Sequence, residues 1–383
     1  MSTAIDVRAL SSHVRIELDD SLSSAERAAI TTHWADLAHD GTGEPDRVLR
    51  AGVRADSDPV DRTLTVSANS PEALAQRITS QVTLEAIGGL RGEALMLHAA
   101  AVALDDGRVI GFVGPSGRGK TTAARELGRA FGYVTDETLA VRADGSVIPY
   151  RKPLSIGTKS GVKATEPASG FDLKGLPDAE LELAALVLLD RRPEVAQPFV
   201  ESVPMIDALP ELVAQSSFLS ALDRPLETLI DTIRSTGGVR RIVYSEASTI
   251  PGMIDDLLAS VEENAPVVMD VADRSQRGCD CDGKVLEAAP TPNADARAGA
   301  YWRGTFADAR IVDDSLVVLA AGRLTVLAGV GPALWLAADG LTEDELNAAA
   351  RMDLPAPPAD VDVDQVISQA LRSLEDASLL VRS

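Results

Sequence analysis

The residues best equipped for chemistry lie in VIGFVGPSGRGKTTAARELGRAFGYVTD, Val109 to Asp136. Within it Gly114, Pro115, Ser116, Gly117, Arg118, Gly119, Lys120 and Thr121 fit G-x-x-x-x-G-K-[ST], and Thr122 follows. Glycines let a backbone turn tightly and bring its N–H groups close to phosphate oxygens. A helix starting near Lys120 adds its positive dipole end at the same point. Lys120 would reach the β- and γ-phosphates, and the Thr121 hydroxyl would hold Mg²⁺. The expected cofactors are therefore ATP and Mg²⁺. The bland alternative is a glycine-rich turn that only joins strand to helix.

Other candidates flank this loop. Asp136 and Glu137 end a short strand, Gly132 to Thr135, and carboxylates there could hold Mg²⁺. Asp136 could instead accept the proton of a nucleophilic hydroxyl, and a solvated turn is the competing reading. His98 sits inside the apolar run LMLHAAAVAL, residues 95–104, where a satisfied core histidine is the commoner outcome. Arg241 lies near a strand start, where it could touch a transferring phosphoryl group or be a surface charge. Arg151, Lys152 and Lys159 form a local basic cluster in an acidic chain. Cys279 and Cys281 are a single C-x-C, too few thiols for a tetrahedral zinc site.

The elements that must position these residues follow from pattern. An apolar strand at 109–113 precedes the glycine loop and a helix-forming run follows it. The run 95–104 turns through Asp105-Asp106-Gly107 into that strand, as in a hairpin. Residues 1–92 read as a small α+β module, with a strand at 14–18, helices starting near Ser23 and Ser70, and a strand at 63–66. A loop punctuated by proline follows the strand near 147, 181–190 is a core strand, and 207–219 and 225–235 are helical. Residues 93–262 then form an α/β P-loop domain, and 263–299 a flexible linker. In 300–383, strands at 302–312, 315–320 and 323–328 precede three helices, which reads as a winged-helix-like domain.

Composition narrows the partners. The 383 residues carry a net charge of −22, which disfavours nucleic acid and anionic membrane. Aromatics are only 3%, so the cores must be mainly aliphatic. No apolar run approaches the ~18 residues that span a bilayer. The N-terminal stretch lacks a basic start followed by an apolar core, so a cytoplasmic location is expected.

Two resemblances sharpen this reading. LMLHAAAV, GPSGRGKTTAARELG and GYVTDETLAV together are similar to the HPr kinase-like P-loop family, over roughly residues 95–260. That resemblance implies ATP at the P-loop and a role for Asp136 on the attacking hydroxyl, with Glu137 in place of a second aspartate and His98 on the strand-borne histidine. The longer signature segment of bacterial HPr kinases is missing, so regulation of sugar transport is not expected. LVVLAAGRLTVLAGVGPALWLAADGLTEDEL and VISQALRSLEDASLLV resemble PqqD-like domains, over about 300–383. This implies recognition of the leader segment of ribosomally synthesised, post-translationally modified peptides (RiPPs). The leader would add as a strand beside Arg323 to Ala328, flanked by the third helix. Lasso- or daptide-type pathways, with their modifying enzymes as partners, are the expected setting.

Three functions remain open at this point. The chain either recognises and phosphorylates a RiPP precursor, or presents that precursor to a separate enzyme, or is a kinase of an unrelated protein or metabolite hydroxyl.

Overall fold

The computed structural model describes residues 3–54, 65–115, 119–157, 163–259, 268–270, 297–313, 315–353 and 362–383. They form two compact units. The first comprises Met1–Val203, Gln215–Ser217 and Ser235–Val261, the second Pro204–Ala214, Phe218–Arg234 and Glu262–Ser383. Among the described residues no helix is long and apolar enough to cross a membrane.

The first unit opens with β1 (Thr3–Ala9) antiparallel to β2 (Ser12–Leu18). Helix α1 (Ser24–His33) begins at a capping box: the Ser23 hydroxyl accepts from the Glu26 N–H, and the Glu26 carboxylate accepts from the Ser23 N–H. Such a cap is worth about 1 kcal/mol. Parallel strands β3 (Arg47–Val53) and β4 (Val66–Ala68) complete a sheet in the order β1-β2-β3-β4. Helix α2 (Pro71–Gly89), capped by Ser70, buries Leu74, Ile78 and Val82 at helical spacing and packs on β3 and β4. Strands β1 and β3 lie outside the strands expected from pattern.

Next come β5 (Leu95–Ala103), β6 (Arg108–Val113), α3 (Lys120–Ala130), β7 (Gly132–Thr135), β8 (Thr138–Val141) and β9 (Val147–Ile148). A hairpin, β10 (Leu154–Gly157) with β11 (Lys163–Glu166), precedes β12 (Glu182–Arg191) and β13 (Phe199–Val203). The chain then contributes α4 (Met205–Ala214) to the second unit, returns as β14 (Ser216–Ser217), and contributes α5 (Pro225–Ser235). It closes the first unit with β15 (Val239–Tyr244) and α6 (Ile254–Ala259).

The large sheet has the order β13-β15-β12-β6-β5-β8-β9, with β7 and β14 also paired to β5. Strands β6, β12 and β15 run parallel, and β5 is antiparallel to β6 as the hairpin pattern required. Helix α3 lays Ala123, Ala124 and Leu127 on the face that carries Phe112, Val187 and Ile242. This is the strand, loop and helix context that a P-loop needs.

In the second unit, β16 (Val268–Asp270) pairs with β18 (Asp308–Val312), so the stretch expected to be linker includes a strand. Residues 263–267 and 271–296 of that stretch, with Cys279 and Cys281, lie outside the described residues. The expected strand 302–312 is two, β17 (Tyr301–Arg303) and β18. The break falls at Gly304, where a Cβ would stand 2.2 Å from the Ser378 carbonyl oxygen. Then follow β19 (Ser315–Ala320), β20 (Arg323–Leu327), α7 (Gly331–Ala337), β21 (Asp339–Leu341), α8 (Glu343–Asp353), α9 (Val363–Asp376) and β22 (Leu380–Arg382).

One sheet runs β16-β18-β19-β20 and another β21-β17-β22. Leu316, Val318 and Leu327 share a core with Trp335, Leu346, Ile367 and Leu371 from the three helices. From α5, the Leu226 N–H donates to Asp308 Oδ2 at 3.1 Å, and Arg310 donates to Glu227 at 2.5 Å. Asp308 and Arg310 are each 1% exposed, so this buried charge cluster ties α5 to β18. The unit is therefore a mixed α/β assembly, larger than three strands and three helices.

Candidate functional site

The P-loop begins where β6 ends. Gly114 is buried and Pro115 exposed, while Ser116, Gly117 and Arg118 lie outside the described residues. Gly119 precedes α3 with φ of 93°, and a Cβ there would stand 3.4 Å from the Tyr244 hydroxyl. Glycine is the residue that adopts this backbone without strain. No side chain caps the first turn of α3, so its amide groups remain suited to an anion. Thr121 is half-buried and Thr122 exposed in that turn. Lys120 is buried and donates through Nζ to the Gly114 carbonyl at 2.6 Å. Burial pulls its pKa below the usual lysine value, against the opposing pull of Glu137 and Asp136.

The carboxylates occupy the turn between β7 and β8. Asp136 Oδ1 accepts from the Tyr133 hydroxyl at 3.1 Å and from Lys152 Nζ at 2.9 Å. The same ammonium stands 3.7 Å from Glu137 Oε2. His98 Nδ1 lies 3.0 Å from the Glu137 carbonyl oxygen and 3.3 Å from its Oε1. Both are acceptors, so Nδ1 carries the proton. The hydrogen bond from His98 lowers the Glu137 pKa; burial opposes this, and Lys152, His98 and Lys120 reinforce it by charge. Burial disfavours the Lys152 ammonium, yet Asp136 and Glu137 outweigh it and hold its pKa above the usual value. Burial pushes the Tyr133 hydroxyl pKa far up, and the Asp136 charge adds to it, so Tyr133 stays a neutral donor.

His98, Asp136, Glu137 and Lys120 are thus brought together. Arg241 is not brought to them. On β15, Arg241 alternates with Ile242 and Tyr244, which face the α3 core, and its guanidinium pairs with Glu201 of β13 at 3.4 Å. Arg151 is pinned structurally, donating to the Tyr133 and Lys174 carbonyls at 2.6 and 3.1 Å, and Lys159 lies outside the described residues. Sequence reasoning missed Lys152 and Tyr133 as site residues. Only the position of Lys152 in a basic cluster hinted at the first.

Whether these residues fit Mg²⁺ can be judged from the donors. Among the described residues no group of three or more His, Cys, Asp or Glu is disposed to hold a metal ion. What exists is a hydroxyl, Thr121, and a carboxylate pair shared with Lys152. Magnesium is commonly held by one or two carboxylates together with substrate phosphates, and this donor set fits that arrangement.

A second feature lies in the C-terminal unit. A groove of about 1090 Å³ is lined by Arg323, Thr325, Glu375, Asp376, Leu379 and Arg382, among others. Among the described residues, strand β20 pairs with β19 alone and is the outer strand of its sheet. Among the described residues, strand β22 likewise pairs only with β17. Register places Arg323, Thr325 and Leu327 on the face of Val318, while α4 packs along the same strand.

No protein-family model matches the chain, and no curated protein matches it. Among solved structures, the HPr(Ser) kinase/phosphatase from Coxiella burnetii is similar at 12% identity, over 43% of this chain and 93% of that one, with a TM-score of 0.25.

Proposed function

We propose that the chain binds ATP with Mg²⁺ at its P-loop, in an HPr kinase-like domain, and acts on or presents the precursor peptide of a RiPP pathway. The observation that carries the nucleotide half is the meeting of buried Lys120, at the uncapped start of α3, with Asp136 and Glu137. Thr121, Asp136 and Glu137 would hold the metal, which when bound neutralises charge on the phosphates. Lys120 orients the phosphates. Asp136, fixed by Tyr133 and Lys152, is placed to accept the proton of an attacking hydroxyl, and His98 orients Glu137. The peptide half rests on the groove beside β20, whose open edge suits an added strand flanked by the end of α9.

Two measurements test this on the full chain. Fluorescence anisotropy with the leader of the precursor encoded beside this protein is expected to show saturable binding, and its absence rejects the peptide half. Transfer of the γ-phosphoryl group of ATP to that precursor is expected with wild type and not with Asp136→Asn. If labelled product appears only on unrelated proteins or metabolites, the kinase reading without a peptide pathway replaces it. If precursor maturation proceeds normally with Lys120→Ala, presentation without nucleotide chemistry is the function.

A further inference from the structure

The site holds more positive charge than a P-loop requires. Lys152 comes from the loop after β9, and its side chain is 9% exposed against Asp136 at 5%. Its ammonium stands between Asp136 Oδ1 at 2.9 Å and Glu137 Oε2 at 3.7 Å. Oδ1 of Asp136 also receives the Tyr133 hydroxyl, so that oxygen already has two donors. Lys120 and Lys152 together balance Asp136 and Glu137, and the buried cluster is close to neutral before anything binds. A bare divalent cation would leave it with two uncompensated positive charges at low local dielectric. A nucleotide carrying the same cation arrives with net negative charge and avoids that imbalance.

We propose that Lys152 is a resident counter-cation of the Asp136–Glu137 pair, so that the divalent metal enters this site with the nucleotide and not ahead of it. The inference rests on the nucleotide reading above, and it assigns Lys152 a positioning role. The ammonium holds both carboxylates in place while the site is empty of phosphate.

The test uses the full chain and Mn²⁺ as probe, with the free Mn²⁺ signal read by electron paramagnetic resonance. Without nucleotide, Lys152→Met is expected to take up one equivalent at least tenfold more tightly than wild type. Adding Asp136→Asn to that variant is expected to abolish the difference, separating this site from weak binding to the acidic surface. Lys152→Arg keeps a cation and is expected to behave as wild type. With ADP present, wild type is expected to take up the equivalent. The proposal is overturned if wild type takes it up without nucleotide as tightly as Lys152→Met, or if the variant gains nothing. Should Lys152→Met fail to fold, wild type alone decides: uptake without ADP of an equivalent that Asp136→Asn removes overturns the idea. A fluorescent ADP analogue titrated with Mg²⁺ present separates the two claims. Absence of nucleotide binding rejects the P-loop reading, whereas the nucleotide-free Mn²⁺ comparison still judges Lys152.

Discussion

Lys120 and Lys152 are buried and face carboxylates that are themselves largely shielded, whereas Arg323 and Arg382 along the groove stand in solvent. The first region recognises through fixed charge. Its lysines, Tyr133 and His98 form a network in which each donor has a named acceptor. The second region offers open strand edges, β20 and β22, and a roomy groove with cationic and acidic walls. Removing one member of a buried network leaves another uncompensated, and the cost is large. Changing one exposed charge beside a backbone edge removes little, because the main-chain hydrogen bonds would remain. Single substitutions should therefore act most strongly in the buried network and least along the groove.

The largest effect is expected from Lys120→Ala. Loss of a charge-assisted contact to phosphate should cost about 2–3 kcal/mol, roughly 30- to 150-fold in ATP affinity. Isothermal titration calorimetry on the full chain reads this, with peptide affinity followed in parallel. Equal loss of both affinities would dissolve the contrast between the regions.

A smaller effect is expected at the groove. Arg323→Glu should weaken leader binding by about threefold to fivefold, with ATP affinity unchanged. Anisotropy and calorimetry together check it. A loss of a hundredfold would mean that the groove works through a desolvated ion pair and resembles the nucleotide site after all.

What was legible in the sequence divides along the same line. Gly114 to Thr121 is contiguous, so its context of strand and helix could be read directly, and α3 and β6 stand where expected. Asp136, Glu137 and His98 were named from their nearness to that loop, and the sheet brings them together through the antiparallel pairing of His98 with Thr138. Lys152 was invisible as a partner because the loop after β9 must fold back before it can meet Asp136. The face that Arg241 takes depends on register, and one position decides between the α3 core and the opposite side. The allegiance of α4 and α5 was also hidden. Their amphipathic pattern says that one face is buried, and it does not say against which sheet.

The smallest expected effect concerns acid stability, and its sign follows from Glu137. Its folded pKa lies below the ordinary value of 4.5, with the His98 hydrogen bond as the leading cause. A depressed carboxyl pKa contributes stability that is present above the unfolded value and is lost as pH falls through the folded one. Because the side chain is 36% exposed, solvent screening holds the effect to about 0.5 kcal/mol or less. Urea midpoints compared at pH 6.0, about 4.5 and about 3.5 should therefore fall slightly more steeply for wild type than for Glu137→Gln. The exposed carboxylates are common to both proteins, so the difference in slope reports Glu137 together with the Asp136 that shares Lys152 with it. A steeper fall in the variant would mean that His98 does not favour the charged carboxylate. It would also remove the reason to place His98 within the site's network.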